Sequence, residues 1–411
     1  GLIGPWNHRY PHRGVPGPAI GFLQEALRWW GQWLRGEDTG VLRDPQLRVF
    51  MQDSVPPHTS YDTRPGRWVA EDSWPSPRIE PATFVLAPAR LVPRDAVAAP
   101  GQVEVSTQSP LRLGLFGGKW CSYSAPPDLP GDQREEDGGA LVFDSEPLAE
   151  EIEILGPPTV ELELAADRAV AQVAVRLSDV APDGKATRVV YGVLNLTHRE
   201  SHESPSPLEP GRRYRVRVRM NDIAQVFPRG HRIRLSLSSS YWPLAWPAPE
   251  LARLTVVCGA SQLTLPVRPP RAGDEQLRRF AEPEGARPGP RTVITAPEYA
   301  WRVIRDMVSD TSTLEVVKDL GTYRLDEIDL ELNNRTVERY SVRADQLESL
   351  RGEVRTDVGL RREGWHVHTA TRTVLRSTPT HFHVVADLDA WEGERRELCR
   401  SWERWILREL V

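Results

Sequence analysis

The first side chain of the sequence that could do chemistry is His8, in the opening stretch GLIGPWNHRYPHRG. An imidazole can accept and return a proton near neutral pH, so His8 is a candidate general base. The apolar pair Leu2-Ile3 runs directly into the turn-forming residues 4–7. This order predicts the end of a buried strand and a loop that presents the histidine. A lone loop histidine is more often structural than catalytic, and that alternative stays open.

A serine hydrolase of the α/β type carries its nucleophile in a G-x-S-x-G turn, and this sequence contains no such pattern. In that fold the serine, the acid and the histidine follow one another along the chain, and the histidine lies between the last strand and the last helix. His8 has this position relative to Leu2-Ile3 and to the segment 19–35. If His8 is the base, we expect its serine and its acid upstream of residue 1.

Two H-x-H pairs, residues 366–368 and 381–383, suggest a metal site, because residues i and i+2 of a strand share a face. A hairpin turn at Ser377-Thr378-Pro379 makes opposite positions sum to about 756. That register pairs His381 with Leu375, His383 with Thr373, His368 with Leu388 and His366 with Ala390. The two pairs are then roughly 17 Å apart, which is too far for one metal ion. We therefore predict exposed strand histidines, no metal and no cofactor.

Two further groups could be mistaken for nucleophilic sites. Cys121 has neither a histidine neighbour in sequence nor a helix start to activate it, which favours a structural thiol. His231 precedes the serines 238–240, but residues 232–238 alternate between apolar and polar. This alternation predicts a sandwich strand with Ile233, Leu235 and Leu237 inside and a solvated face of Arg232, Arg234, Ser236 and Ser238.

A helix is predicted over residues 19–35, because apolar side chains recur at steps of three and four residues, and Gly36 is placed to end it. The apolar residues are Phe22, Leu23, Ala26, Leu27, Trp30, Trp33 and Leu34. The few residues before His8 offer little for this stripe to cover, so we interpret the helix as the closing element of a larger domain. The isolated chain would expose a patch around Trp29, Trp30 and Trp33 and self-associate.

Most of the remaining sequence predicts strands. Short apolar or alternating runs at 47–51, 83–87, 159–164, 171–177, 214–220 and 233–239 are separated by Pro, Asp and Gly turns. They predict a mainly β fold with a jelly-roll β-sandwich over residues 41–268. A Pro- and Arg-rich exposed linker is predicted at 269–291. A smaller β-rich (α+β) domain with some helical tendency is predicted at 292–411, with its clearest strands at 338–344, 364–376 and 380–390.

Composition excludes several classes of protein. A net charge of −5 over 411 residues gives no broad basic face, so we expect neither a nucleic-acid partner nor a membrane partner. No apolar run approaches the roughly 20 residues of a membrane span. The three cysteines, Cys121, Cys258 and Cys399, are far apart and favour neither a disulfide framework nor a zinc site. A reducing, cytoplasmic location is the resulting expectation.

Several motifs together resemble one enzyme family. LIGPWNH followed by GFLQEALRWWGQWLRG is similar to the end of the catalytic domain of the cocaine esterase-like (CocE/NonD) acyl esterases, relatives of X-Pro dipeptidyl-peptidases. LRVFMQDS, VRLSDVAPDGKATRVVYGVLNLTHRES and PLEPGRRYRVRVRMNDIAQVFPRGHRIRLSLSSSYWP resemble the region that follows. The resemblance covers residues 1–268. It implies that residues 1–40 are the remnant of an α/β-hydrolase domain ahead of a galactose-binding-like jelly roll.

The resemblance also implies a function. The parent protein would cleave a small ester or peptide substrate through a Ser-Asp-His triad, with His8 as general base and a missing N-terminal hydrolase body as partner. The 411-residue chain would be inactive alone. Within residues 113–133, Phe116 and Trp120 would line the acyl pocket; as an alternative, both are ordinary core or edge aromatics. A different function stays open, a non-catalytic β-sandwich module that binds a ligand or a partner. Assembly into a homo-oligomer is also left open.

Overall fold

The computed structural model describes residues 1–97, 101–121, 123 and 128–411. Two α-helices, α1 (Phe22–Arg35) and α2 (Arg134–Asp137), lie among strands in the first part of the chain. The strands there are β1 (Leu2–Ile3), β2 (Leu47–Gln52), β3 (Gly66–Glu71), β4 (Glu80–Ala87), β5 (Arg90–Pro93), β6 (Val103–Thr107), β7 (Leu141–Asp144), β8 (Ile152–Gly156), β9 (Thr159–Ala166), β10 (Gln172–Val180), β11 (Ala186–Asn195), β12 (Arg213–Arg219), β13 (Ile223–Phe227), β14 (Arg232–Ser238), β15 (Leu254–Cys258) and β16 (Gln262–Val267).

These strands pair mainly in the antiparallel sense around one large hydrophobic core, and a smaller, separate core lies between β2, β3, β8 and β13. The main path runs β1-β2-β13-β8-β16-β4-β5-β7-β14-β10-β11, and β9 pairs with β12, β15 and β16. In β12 the side chains of Tyr214, Val216 and Val218 are buried while the arginines between them are exposed, as the alternating sequence predicts. All nine residues of β10 are buried, because elements cover both of its faces. The prediction of a mainly β architecture is confirmed; the finer jelly-roll assignment stays a prediction.

The outer face of β14 corrects one prediction. Ser236 and Ser238 are fully buried rather than solvated. The Oγ of Ser236 donates a hydrogen bond to Asp137 of α2 at 2.8 Å, and the guanidinium of Arg234 lies 2.9 Å from the same carboxylate. Because α2 covers this face and supplies a carboxylate, Arg234 and Ser236 form a network with Asp137 instead of a solvated surface.

The segment 269–291 is only partly the exposed linker that its composition predicts. The side chain of Arg268 is fully buried and forms ion pairs with Glu71 and Asp274 at 2.7 and 2.8 Å. The ring of Phe280 packs edge-on against Trp68, with 4.8 Å between the ring centroids. Residues 281–290 are exposed throughout. The first half of the segment therefore lies against the sandwich as a strap.

The C-terminal part forms a second, antiparallel sheet of long strands. Its strands are β17 (Arg291–Thr295), β18 (Glu298–Asp306), β19 (Thr311–Leu325), β20 (Leu330–Arg343), β21 (Arg351–Arg362), β22 (Trp365–Ser377), β23 (His381–Glu392) and β24 (Arg395–Leu407). The order is β17-β19-β20-β21-β22-β23-β24, and β18 also pairs with β19. No α-helix occurs among the described residues of this part, so the predicted helical tendency is wrong. One end of the sheet packs on Trp242 of the sandwich through Leu314 and Val342.

The pairing of β22 with β23 differs from the predicted register by three residues. Ser377 pairs with Phe382 and Arg376 with His383, so opposite positions sum to 759 rather than 756. The hydroxyl of Thr378 accepts a hydrogen bond from the His381 N–H at 3.0 Å and closes a turn one position further along than predicted. His383 therefore lies opposite Arg376 instead of Thr373.

The other histidines of this hairpin shift accordingly. His368 pairs with Trp391 instead of Leu388, the carbonyl of His366 accepts from the Gly393 N–H, and His381 pairs with Leu407 of β24. The two H-x-H pairs lie about eight residues apart along the ladder, roughly 26 Å. Within the described part of the chain, no group of three or more His, Cys, Asp and Glu side chains could hold a metal ion.

The helices and the cysteines of the described chain each have one further property of note. In the ranges that the structure covers, no helix combines the length and the apolar character needed to cross a membrane. Cys121 and Cys399 are exposed free thiols, whereas the free thiol of Cys258 is buried, and burial raises its pKa.

Candidate functional site

The loop that carries His8 connects β1 to α1 and is held by backbone and indole hydrogen bonds. The N–H of Asn7 donates to the carbonyl of Val15 at 3.0 Å, and the Trp6 indole donates to the carbonyl of Pro18 at 2.7 Å. The strand before it, β1, pairs in parallel with β2. Ile3 is 56% exposed, so β1 is an edge strand rather than the buried strand that the sequence predicts. Within the described residues, β2 is its only neighbour in the sheet.

The imidazole of His8 is exposed and stacks on Tyr123, with 4.6 Å between ring centroids and an interplanar angle of 8°. Among the residues that the structure covers, no side chain forms a hydrogen bond with the ring nitrogens of His8. No hydroxyl or thiol of the described chain is thus in place as a nucleophile activated by this base. Sequence reasoning missed Tyr123; the signal available was a further aromatic in the same segment 113–133 as the predicted Phe116 and Trp120.

The helix that follows this loop, α1, begins at Phe22 and ends at Arg35. Gly36 caps it with a φ of 69°, which suits a glycine. Its orientation is the reverse of the usual one. The polar side faces the rest of the chain, because Arg28 bonds Glu25 and Asp44 at 2.9 Å and Arg278 bonds Glu25 at 2.6 Å. The hydrogen bond that Arg28 donates to Asp44 is the main cause that raises the pKa of Arg28.

The apolar side of α1 faces outward. Leu27 is 66% exposed, Trp30 55% and Leu34 75%, and these residues follow the three- and four-residue steps of one helix face. Leu23, Trp29 and Trp33 are also exposed. We call this surface, formed by Leu23, Leu27, Trp29, Trp30, Trp33 and Leu34, the apolar stripe. It is the large uncovered apolar helix face that the sequence predicts.

The two aromatics predicted for a pocket have different surroundings. Trp120 is 59% exposed; its carbonyl accepts a hydrogen bond from the Tyr191 hydroxyl at 2.7 Å, and its ring meets the Tyr191 ring edge-on. Phe116 is half-buried and packs with Leu111, Leu115 and Trp242 where the sandwich meets the second sheet. Residues 122 and 124–127, further along the segment 113–133, lie outside the described residues.

Buried polar contacts anchor the rest of this segment to the sandwich. Gln133 is fully buried, donates to the carbonyl of Gly131 at 2.8 Å and accepts from Arg176 of β10 at 3.0 Å. The carboxylate of Glu136 accepts from the N–H groups of Gly114 and Phe116 at 2.6 and 2.7 Å. Burial raises the pKa of Glu136. These contacts fix the base of the segment from which Trp120 and Tyr123 project.

His231 belongs to a different arrangement from the one its sequence position suggests. Its Nδ1 lies 2.8 Å from the carboxylate of Asp179, which also accepts a hydrogen bond from the hydroxyl of Ser54. These three residues border a cavity of about 300 Å³. The aspartate stands between the serine and the histidine, so the imidazole does not contact the hydroxyl. A nucleophile-base pair requires that contact, and this cluster is structural.

Comparisons with known proteins agree on one family. The sequence profile of the X-Pro dipeptidyl-peptidase C-terminal non-catalytic domain matches residues 39–304. A Mycobacterium bovis protein described as a serine esterase is 25% identical over 304 residues, which cover 66% of this chain and 45% of that protein. The cocaine esterase of a Rhodococcus species is 24% identical over 262 residues, which cover 59% and 44%. These matches confirm the resemblance drawn from the motifs.

A solved structure supports the fold. An aminopeptidase from a marine sediment Thaumarchaeota archaeon superposes with a TM-score of 0.50 at 19% identity, over 65% of this chain and 48% of that chain. At this identity the likeness concerns the fold alone. The chain spans less than half of the length of these relatives.

Proposed function

The chain belongs to the family of X-Pro dipeptidyl-peptidase C-terminal non-catalytic domains, and from this premise we propose that it is the C-terminal part of a serine hydrolase that cleaves ester or amide bonds. Relatives described as a serine esterase and a cocaine esterase supply the reaction class. Each is more than twice as long as its matched part. In this proposal a separate α/β-hydrolase segment carries the nucleophile and the acid, and the substrate is a small ester or peptide.

The observation that carries the proposal is the apolar stripe of α1. A helix with one apolar face normally buries that face, because apolar surface left in water costs about 25 cal/mol per Å². Here the polar face is the one that contacts the chain, through Glu25 and Arg28. The outward stripe therefore needs a large apolar partner. The hydrolase body supplies one, since the corresponding helix closes the catalytic domain in the family that the motifs resemble.

His8 is the general base in this proposal. It accepts the proton of the serine hydroxyl as the oxygen attacks the carbonyl of the substrate, and it returns that proton to the leaving group. The acid of the missing body would hold the other ring nitrogen and fix the tautomer. Support comes from the exposed ring of His8, whose nitrogens are not occupied by other described side chains. The 411-residue chain alone is proposed to be inactive, because its described residues place no nucleophile against His8.

The sandwich contributes to the substrate pocket in this proposal. Trp120 and Tyr123 project from the segment that Gln133 and Glu136 anchor, and Tyr123 already contacts the ring of His8. Trp120 is proposed to contact the acyl group. Phe116, the other predicted pocket residue, is half-buried against Leu111, Leu115 and Trp242, and it would contact the acyl group only from that position.

The second candidate function is a non-catalytic module that binds a ligand or a partner. The family description, a non-catalytic domain, favours it for the isolated chain. It leaves the apolar stripe without a role, which is why the hydrolase proposal ranks first.

Sequencing the coding DNA upstream of Gly1 tests the proposal. The expected result is an open frame that encodes G-x-S-x-G and, after it, an acidic residue ahead of the strand Leu2-Ile3. An in-frame stop codon immediately upstream, or an unrelated domain, would refute the proposal.

A further inference from the structure

A cavity of about 570 Å³ lies between the edge of the sandwich and the strap. Strands β2 and β3 supply Arg48 and Trp68, and the segment before α1 supplies Ile20. The strap supplies Leu277 and Phe280, and Pro283 follows the strap. The volume is within the range of small-molecule sites in proteins. Besides apolar side chains, the lining contains four arginines and three carboxylates: Arg48, Arg67, Arg271, Arg279, Asp274, Glu275 and Glu282. None of these residues belongs to the proposed catalytic machinery.

Arg48 is the unusual member of the lining. Its guanidinium stacks on the Phe280 ring at 3.8 Å from the centroid and lies 5.7 Å from the Trp68 ring. Within the described residues, its side chain forms neither a hydrogen bond nor an ion pair, and its Nε is buried without a partner. Burial lowers the pKa of Arg48. Removing a cation partly from water costs free energy, and no carboxylate offsets that cost here.

The charges around Arg48 do not compensate it. Arg28 and Arg278 already pair with the two carboxylates nearby, Glu25 and Asp44. Three cations thus face two carboxylates, and one positive charge is in excess. Of the three other arginines of the lining, Arg67 and Arg271 are bound to Glu153 and Asp72, and Arg279 is exposed to solvent. Arg48 is therefore the half-buried arginine of this lining that pairs with no carboxylate of the described residues and can bind an anion.

We propose that this cavity binds a small organic carboxylate, with the carboxylate on the guanidinium of Arg48 and the apolar body of the ligand against Trp68, Ile20 and Leu277. A guanidinium is planar and offers two parallel N–H groups to a carboxylate. Stacking on Phe280 fixes the plane of the guanidinium, so its N–H edge is held for such an anion before it binds. The proposal is independent of the proposed hydrolase activity.

The test is a ¹⁹F NMR titration of the 411-residue chain with 4-fluorobenzoate. We expect saturable binding with a Kd of about a few millimolar or tighter, as ligand efficiency predicts for a molecule of this size. Arg48→Gln should weaken it at least about tenfold, because a hydrogen-bonded charge is lost. Arg43→Gln removes an equal charge from the same face of the protein, where Arg43 is exposed and paired with Asp38, and should leave the affinity within about twofold.

Two further measurements keep the result interpretable. The neutral probe 4-fluorobenzamide should bind the unaltered chain at least about tenfold more weakly than the acid, and this comparison stands even if Arg48→Gln fails to fold. Inorganic phosphate at equal concentration should not displace 4-fluorobenzoate. Absence of saturable binding, equal affinity for the amide, or unchanged affinity in a folded Arg48→Gln variant would each overturn the proposal. Full displacement by phosphate would show a general anion site and would overturn the organic class of the ligand.

Discussion

Substitutions in the apolar stripe of α1 should have different effects in the 411-residue chain and in a longer protein that contains the hydrolase body. The perturbation is the triple variant Leu27→Gln, Trp30→Gln and Leu34→Gln. These residues are 66%, 55% and 75% exposed in the 411-residue chain, about two-thirds on average. Gln has nearly the helix propensity of Leu, and surface substitutions change the free energy of unfolding by less than about 0.5 kcal/mol each. We therefore expect the isolated chain to keep its stability and to lose its tendency to self-associate.

In a protein that also contains the hydrolase body, the same substitutions should be costly. Complete burial of such a side chain contributes about 1.5–3 kcal/mol, and the part still exposed here corresponds to roughly two-thirds of that. The triple variant should then lower the free energy of unfolding of the longer protein by roughly 3–6 kcal/mol.

The assays are urea unfolding and static light scattering of both proteins. The control is the double variant Met307→Gln and Val308→Gln, whose residues lie in the turn between β18 and β19 and are 74% and 98% exposed. It should change neither measurement. A loss of several kcal/mol in the isolated chain would mean that the stripe is already packed. An unchanged longer protein would mean that nothing covers the stripe there. Either result would refute the reasoning.

Two further predictions concern buried charges. Arg268→Met should lower the free energy of unfolding, measured in urea, by about 3–5 kcal/mol, because it leaves the buried carboxylates of Glu71 and Asp274 without their cation. The control Arg271→Met removes a more exposed ion pair and should cost less than about 1 kcal/mol. Equal losses in the two variants would contradict the difference in burial. Burial by itself would raise the pKa of Glu353, but hydrogen bonds from Arg351, Arg372 and Arg355 outweigh it and lower the pKa to about 2. The stabilising contribution of the Glu353 carboxylate is therefore complete above about pH 4.5 and is lost as the pH falls toward 2. The difference in unfolding free energy between the unaltered chain and Glu353→Gln should shrink from roughly 3 kcal/mol across that range. A difference that does not depend on pH would contradict this prediction.

Local sequence patterns were sufficient to predict an element whose conformation and buried face depend only on the residues within it. The three- and four-residue steps of α1 and the alternation of β12 reproduce the observed helix and strand, because periodicity determines which face of an element is apolar. The apolar character of the stripe was also predictable, since it follows from the same steps. The edge position of β1 was not predictable, because it depends on the strands that pair with it.

Long-range contacts explain the remaining differences. The burial of Ser236 depends on Asp137, which is 99 residues away in sequence, and alternation within β14 carries no sign of that partner. The register of β22 and β23 was missed because the turn includes His381, bonded to the hydroxyl of Thr378, instead of ending at Pro379. The stacking of Tyr123 on His8 joins two loops 115 residues apart, and no periodicity predicts it.

The role of His8 is tested most directly by the hydrolysis of p-nitrophenyl butyrate. The measurement compares the 411-residue chain, the protein from the complete open reading frame, and its His8→Ala variant. The predicted result is no turnover by the 411-residue chain, turnover by the complete protein, and a loss of roughly 10⁴-fold or more in kcat for the variant with its fold retained. Turnover by the 411-residue chain that survives the loss of the imidazole would contradict the proposed division of the triad.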